Sequence, residues 1–175
     1  MIIKDFNLLA TTSRGNEDVV SSELGYLFDI IGDSTPFIAS TGISGLVTVR
    51  TTLDPFEVLK GFRLILHERP YEFRYTLRVI PIEKVVKTSL SQIQIATADL
   101  ASKIRKNETY RVTVEKRCTE KSARKIIEIV AANIKRKVSL AQPDKILLVE
   151  VLGGLTGVSV IKPNDILSVL KEKML

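Results

Sequence analysis

Short apolar runs and capped helix starts alternate through the first 80 residues in the order β-α-β-β-α-β, which leaves few folds open. Residues 6–12 read as a strand, and Ser13-Arg14-Gly15-Asn16 turns the chain into a helix. Asn16 is placed to cap that helix, with Glu17 and Asp18 at the positive end of its dipole. Val20, Leu24, Leu27 or Phe28, and Ile31 recur at helical spacing. Two short strands follow, residues 37–40 and 46–50, joined by the turn-rich Thr41-Gly42-Ile43-Ser44-Gly45. Asp54-Pro55-Phe56-Glu57 is a strong helix start: an Asp cap, Pro at the first position, and Glu three residues after the cap. Residues 72–82 alternate, with Tyr75, Leu77 and Val79 on one face and Arg74, Thr76 and Arg78 on the other. The order is that of the ferredoxin-like pattern, a four-stranded sheet with two helices on one face.

The second half carries longer elements. Ser89-Leu90-Ser91-Gln92 offers a capping box for a helix to about residue 106. A strand is expected over 109–116, then a long helix capped by Thr119, with Ala123, Ile127, Val130 or Ala131, Ile134 and Val138 as its apolar side. The near-continuous apolar run of 145–152 reads as a central strand, and Gly153-Gly154-Leu155 turns it into a partner over 156–161. Pro163-Asn164-Asp165 starts a closing helix over 166–173.

Charge divides at the same place. Residues 1–80 hold 8 Lys/Arg against 10 Asp/Glu, and residues 81–175 hold 18 against 10. A net of −2 followed by a net of +8 points the second half toward a polyanion. No apolar run approaches a membrane span, and the start, Met1 to Phe6, lacks the layout of a signal peptide. One cysteine forms no internal disulfide, and with one histidine it makes no Cys/His zinc site. The expected address is the cytoplasm.

Nothing in the sequence assembles a catalytic set. His67 sits where it caps a helix C-terminus, and Cys118, although flanked by Lys116, Arg117 and Lys121, has no second histidine to act as its base. Gly153-Gly154-Leu155-Thr156-Gly157 lies between strands, whereas a phosphate-cradling loop opens a helix. Gly42-Ile43-Ser44-Gly45 carries no cation and reads as a turn. The expectation is therefore no enzyme, no cofactor and no metal.

The cations cluster instead. Lys116 and Arg117 end one strand, and Lys121, Arg124 and Lys125 follow on the first turns of the next helix. Cations at a helix start oppose the dipole preference but, with free backbone N–H groups, suit a phosphate. Lys135 and Arg136 near the helix end equally suit a solvated face. Arg78 on the last strand of the first half, Lys84 and Lys87 just after it, and Arg14 complete the candidate RNA-binding set. Aromatic residues are 6 % of the chain, with no tryptophan. Tyr71, Phe73 and Tyr75 are expected on one core face, so recognition through cations and shape is expected over base stacking.

With these motifs in order, the chain resembles the THUMP family. The resemblance rests on Leu8-Leu9-Ala10-Thr11-Thr12-Ser13-Arg14-Gly15-Asn16-Glu17 and the junction Arg78-Val79-Ile80-Pro81-Ile82-Glu83. It continues through Thr113-Val114-Glu115-Lys116-Arg117, Val138-Ser139-Leu140-Ala141-Gln142-Pro143-Asp144, Leu148-Val149-Glu150-Val151 and Gly157-Val158-Ser159-Val160. It implies an α+β chain: an N-terminal ferredoxin-like domain (1–80) packed against a C-terminal THUMP α/β domain (81–175), binding tRNA at its acceptor stem and 3′ CCA end. No catalytic domain follows in these residues. The resemblance then implies a non-catalytic adaptor that presents tRNA to the tRNA cytidine acetyltransferase for N4-acetylcytidine formation. The alternative is a tRNA-binding subunit for a separately encoded methyltransferase or thiouridine synthetase. A small enzyme with Cys118 as nucleophile is the third reading.

Overall fold

The computed structural model describes residues 5–174. The start of the chain through Lys4, part of the signal-peptide reading, lies outside the described residues, as does Leu175. The chain forms two compact units, one of residues 1–82 with 165–175 and one of residues 83–164.

In the first unit the elements are β1 (Leu8–Thr11), α1 (Glu17–Ile31), β2 (Phe37–Ser40), β3 (Leu46–Arg50), α2 (Pro55–Glu68) and β4 (Arg78–Pro81). The strands stand in the order β4-β1-β3-β2, every pair antiparallel. Asp54 caps α2 as its sequence predicts, its Oδ1 accepting the N–H groups of Phe56 (2.8 Å) and Glu57 (3.2 Å). Asn16 caps α1 without a side-chain hydrogen bond. Glu17 instead turns back, its Oε1 accepting the N–H of Gly45 at 2.6 Å. Gly45 is required there: its φ is +72°, and a Cβ would stand 2.6 Å from the Thr12 carbonyl oxygen. Phe28, Phe62 and Phe73 meet edge to face, with centroids 5.1 and 6.1 Å apart, at the centre of a buried cluster with Leu8, Leu24 and Val79.

Four sequence expectations are corrected here. The strand expected over 72–82 is confined to β4, because Pro70–Glu72 is a 3-10 turn and residues 73–77 are held irregularly. Glu23 causes this: its carboxylate accepts the N–H groups of Arg74, Tyr75 and Thr76 and the Thr76 hydroxyl. Only Phe73 of the expected aromatic core face is buried; Tyr71 is 63 % exposed and Tyr75 36 %. The closing helix is also reassigned. Leu167–Ser168 forms β10, a strand antiparallel to β4, and α5 is only Val169–Lys173. Residues 165–175 therefore belong with the first unit and not, as the 81–175 division had it, with the second. That tail holds two acidic and two basic residues, so the units keep their nets of −2 and +8. Arg63 on α2 anchors it, donating from Nε to Glu172 at 2.8 Å.

The second unit holds β5 (Lys84–Lys87), α3 (Leu90–Leu100), β6 (Thr109–Arg117), α4 (Ala123–Ala131), β7 (Lys137–Val138), β8 (Lys145–Leu152) and β9 (Leu155–Ile161). Its sheet runs β5-β9-β8-β6-β7, with β6 parallel to both β7 and β8 and β9 antiparallel to its neighbours. The apolar run of β8 is central as read, buried at every residue after Lys145. Ile93 and Ala96 of α3 and Ile126 and Val130 of α4 pack with Leu147, Val149 and Val151 of β8 and Val158 of β9. The coarse architecture is mixed α+β with two sheets. Among the described residues no helix is long and apolar enough to cross a membrane.

Candidate nucleic-acid interface

Strand β6 carries its last residues to a sharp stop. Cys118 adopts φ +56°, a left-handed turn rare outside glycine, and Thr119 Oγ1 accepts the N–H of Lys121 at 3.2 Å. These local bonds consume the expected cap. The helix begins three residues later than expected, with Ser122 as N-cap, its Oγ accepting the N–H of Lys125 at 3.3 Å. The Thr119 cap and the long helix to Val138 are thus corrected to a nine-residue helix. It ends at Ala131, and Val138 lies on β7, half exposed, because Lys137–Val138 pairs with Thr109–Tyr110.

The cations distribute accordingly. Arg124 and Lys125 stand exposed in the first turn of α4, which carries no acidic residue, while Lys121 lies in the loop just before the cap. Lys121, Ser122, Arg124 and Lys125 line one cleft of about 310 Å³ with Leu90 and Glu128. Free N–H groups, the dipole and three cations converge on this opening. Arg124 reaches Glu128 one turn on at 3.4 Å, but with 90 % of its side chain exposed that pair holds it weakly. The sequence missed Ser122 and Leu90; the Ser-Ala-Arg-Lys run was a capping signal overshadowed by Thr119.

Two expected contacts are occupied elsewhere. Arg117 donates from Nη1 to Glu150 Oε2 at 2.8 Å, and Glu150 is fully buried. Its guanidinium neutralises an internal carboxylate. Arg136 donates from Nε to the carbonyl oxygens of Ile104 and Arg105 and from Nη1 to that of Lys135. It closes the loop after α4 and does not solvate a helix end. Lys116 turns its Nζ to the Lys121 carbonyl at 3.1 Å, joining the strand tip to the cleft's loop. Lys135 is exposed beside a smaller cleft of about 240 Å³. On β5, Lys84 pairs with Asp99 at 2.8 Å, whereas Lys87 is exposed without an ion pair among the described residues. Arg14, exposed in the turn before α1, and Arg78, half-buried on β4, belong to the first unit.

Cys118 is exposed with a free thiol. His67 lies 3.8 Å from Glu172, within the bonds that hold the tail. Among the described residues no three His, Cys, Asp or Glu side chains are grouped to hold a metal.

No protein-family model matches the sequence, and no curated protein matches it. Solved structures match its fold. PH1313 from Pyrococcus horikoshii Ot3 superposes with a TM-score of 0.65 at 16 % identity, over 90 % of this chain and 55 % of its own. TrmN from Thermus thermophilus follows at 0.58 and 17 %, over 87 % and 44 %. A possible methylase from Clostridium difficile 630 follows at 0.57 and 14 %, over 93 % and 42 %. The chain spans about half the length of the solved structures it matches. The likeness is one of fold, at 14–17 % identity.

The expectation that the chain is not an enzyme is corrected, since two structures of its fold are described as a putative methyltransferase and a possible methylase. The lack of an acid–base pair or nucleophile concerns the 175 residues of this chain. Those residues answer to less than half of the methylase, so missing catalytic groups among them are no argument against an enzyme.

Proposed function

We propose that this chain is the tRNA-binding part of a tRNA-modifying enzyme, with methyl transfer the preferred chemistry. The reading rests on one observation. At the start of α4 the Ser122 cap, Arg124 and Lys125 meet Lys121 around one open cleft, with no acidic residue in the first helical turn. A structure optimised for stability places acids there; cations there serve a phosphate. Methyl transfer takes precedence over the acetyltransferase pairing because two neighbours of the fold are described as a putative methyltransferase and a possible methylase. The strand order β4-β1-β3-β2 supports the ferredoxin-like reading of the first unit. The acceptor stem and 3′ end are the part of tRNA that the THUMP resemblance favours, and the single cysteine favours the cytoplasm.

The test is a titration of the full chain with deacylated tRNA at stepped salt concentrations. Log K should fall by about 0.7–0.9 per phosphate for each tenfold rise in salt. A flat salt dependence would remove the electrostatic basis of the reading.

A further inference from the structure

The first unit carries a second cleft that the RNA reading leaves unused. It measures about 330 Å³ and lies between α1 and the 3-10 turn before β4, with Tyr26, Tyr71 and Tyr75 among its lining residues. Those rings are 48, 63 and 36 % exposed. Three partly open rings around one cleft in a unit with a well-packed phenylalanine core are surplus to folding. Two of the three residues are tied in place. Tyr26 donates its hydroxyl to Glu72 Oε1 at 3.1 Å, and Glu23 clamps the backbone at Tyr75. The oxygens of Glu23 are saturated by backbone N–H groups and the Thr76 hydroxyl. Glu72 differs: its Oε2 accepts no hydrogen bond among the described residues, and it faces the same cleft.

Charge decides what such a cleft accepts. Its lining carries Glu23 and Glu72 against Arg74, and Arg69 reaches only Glu72 Oε1, at 3.8 Å, in a unit of net −2. A phosphate chain is disfavoured there. A guanidinium or ammonium group gains both a ring face and a carboxylate oxygen. We infer that this cleft receives an arginine or lysine side chain presented by a protein partner. Tyrosine is also among the residues enriched at interface hot spots. The inference stands apart from the RNA reading, since it concerns a different unit and a ligand of opposite charge.

The chain provides its own probe. It has no tryptophan, and three of its four tyrosines line the cleft; Tyr110, the fourth, is buried. Tyrosine emission is therefore followed while the full chain is titrated with an end-blocked Gly-Arg-Gly peptide, its citrulline counterpart and adenosine monophosphate. A saturable change with the arginine peptide is expected, with the neutral citrulline peptide about fivefold weaker or worse. Tyr71→Ala and Glu72→Gln should each weaken the response several-fold, Tyr71→Phe should retain it, and tRNA affinity should not move. Equal response to citrulline, or indifference to both weakening variants, overturns the inference. Saturation by adenosine monophosphate at lower concentration overturns it too, and assigns the cleft to nucleobases. If Tyr71→Ala unfolds, Glu72→Gln alone decides, because its amide keeps the acceptor for Tyr26 and removes only the charge.

Discussion

Arg117 and Glu150 face each other across the parallel pair β6 and β8, Nη1 to Oε2 at 2.8 Å, with Glu150 sealed from solvent. A residue at the tip of a basic strand thus serves the interior. Removing it takes the cation from a buried carboxylate. Arg117→Ala should cost about 3 kcal/mol, read from urea unfolding, and Glu150→Gln in the same chain should restore part of that. A loss of tRNA affinity without loss of stability would mean that the arginine faces the ligand instead.

Arg124 and Lys125 should separate from Arg136 in the opposite sense. Each is exposed at the start of α4, so Arg124→Ala and Lys125→Ala should leave the melting temperature almost unchanged. Each should weaken tRNA binding roughly three- to tenfold and lower the salt slope by about one phosphate contact. Arg136→Ala should destabilise the second unit, because its guanidinium satisfies three carbonyl oxygens. Its effect on the salt slope should be small. Melting curves and salt titrations on the three variants are the measurement.

The residues of this chain revealed strands where one side-chain pattern dominates and failed where two local signals compete. β2 and β3 match their readings to the residue, and β8 matches as the central strand, because alternation or continuous apolarity left no other period. The caps at Asp54 and Ser89 were equally legible. At Thr119 and Ser122 two hydroxyl caps stood three residues apart, and a left-handed Cys118 decided between them. No pattern in the sequence announces that backbone state. Ile134 continues the helical period beyond the end of α4 and is buried, but from the irregular stretch after it. β7 and β10 are two residues each, and pairing with distant β6 and β4 creates them, so no local period exists to find. The same holds for the site: charge was visible in the residues, but internal pairing of Arg117 and Arg136 depends on partners 33 and 32 positions away.

Acid should loosen both units through two carboxylates. Glu17 lies below the usual 4.5, chiefly because the Gly45 N–H donates to it. Glu108 is lowered chiefly by the Arg105 N–H and then by the Lys145 ammonium. A carboxylate depressed in the folded state adds stability above its unfolded value and loses it as pH falls through the folded one. Stability should therefore hold near neutrality and decline below about pH 5. Glu17→Gln and Glu108→Gln should each flatten that decline while lowering stability at pH 7. Thermal melts across the acid range give the answer; an unchanged slope in both variants would remove these two groups as its cause.

Ser122 offers the sharpest separation of stability from binding, because cap and ligand would compete for the same N–H groups. Ser122→Ala removes the hydrogen bond to Lys125 N and should cost about 1 kcal/mol. Ser122→Asp keeps a good cap and sets a negative charge at the positive end of α4, so its stability should equal or exceed that of the parent chain. The same carboxylate stands in the cleft with Lys121, Arg124 and Lys125. It satisfies the donors internally and repels a phosphate. Ser122→Asp should thus bind tRNA about tenfold more weakly than the parent while melting no lower, with the deficit narrowing as salt rises. A variant that binds tRNA as well as the parent at low salt would show that the phosphate contact lies away from the start of α4.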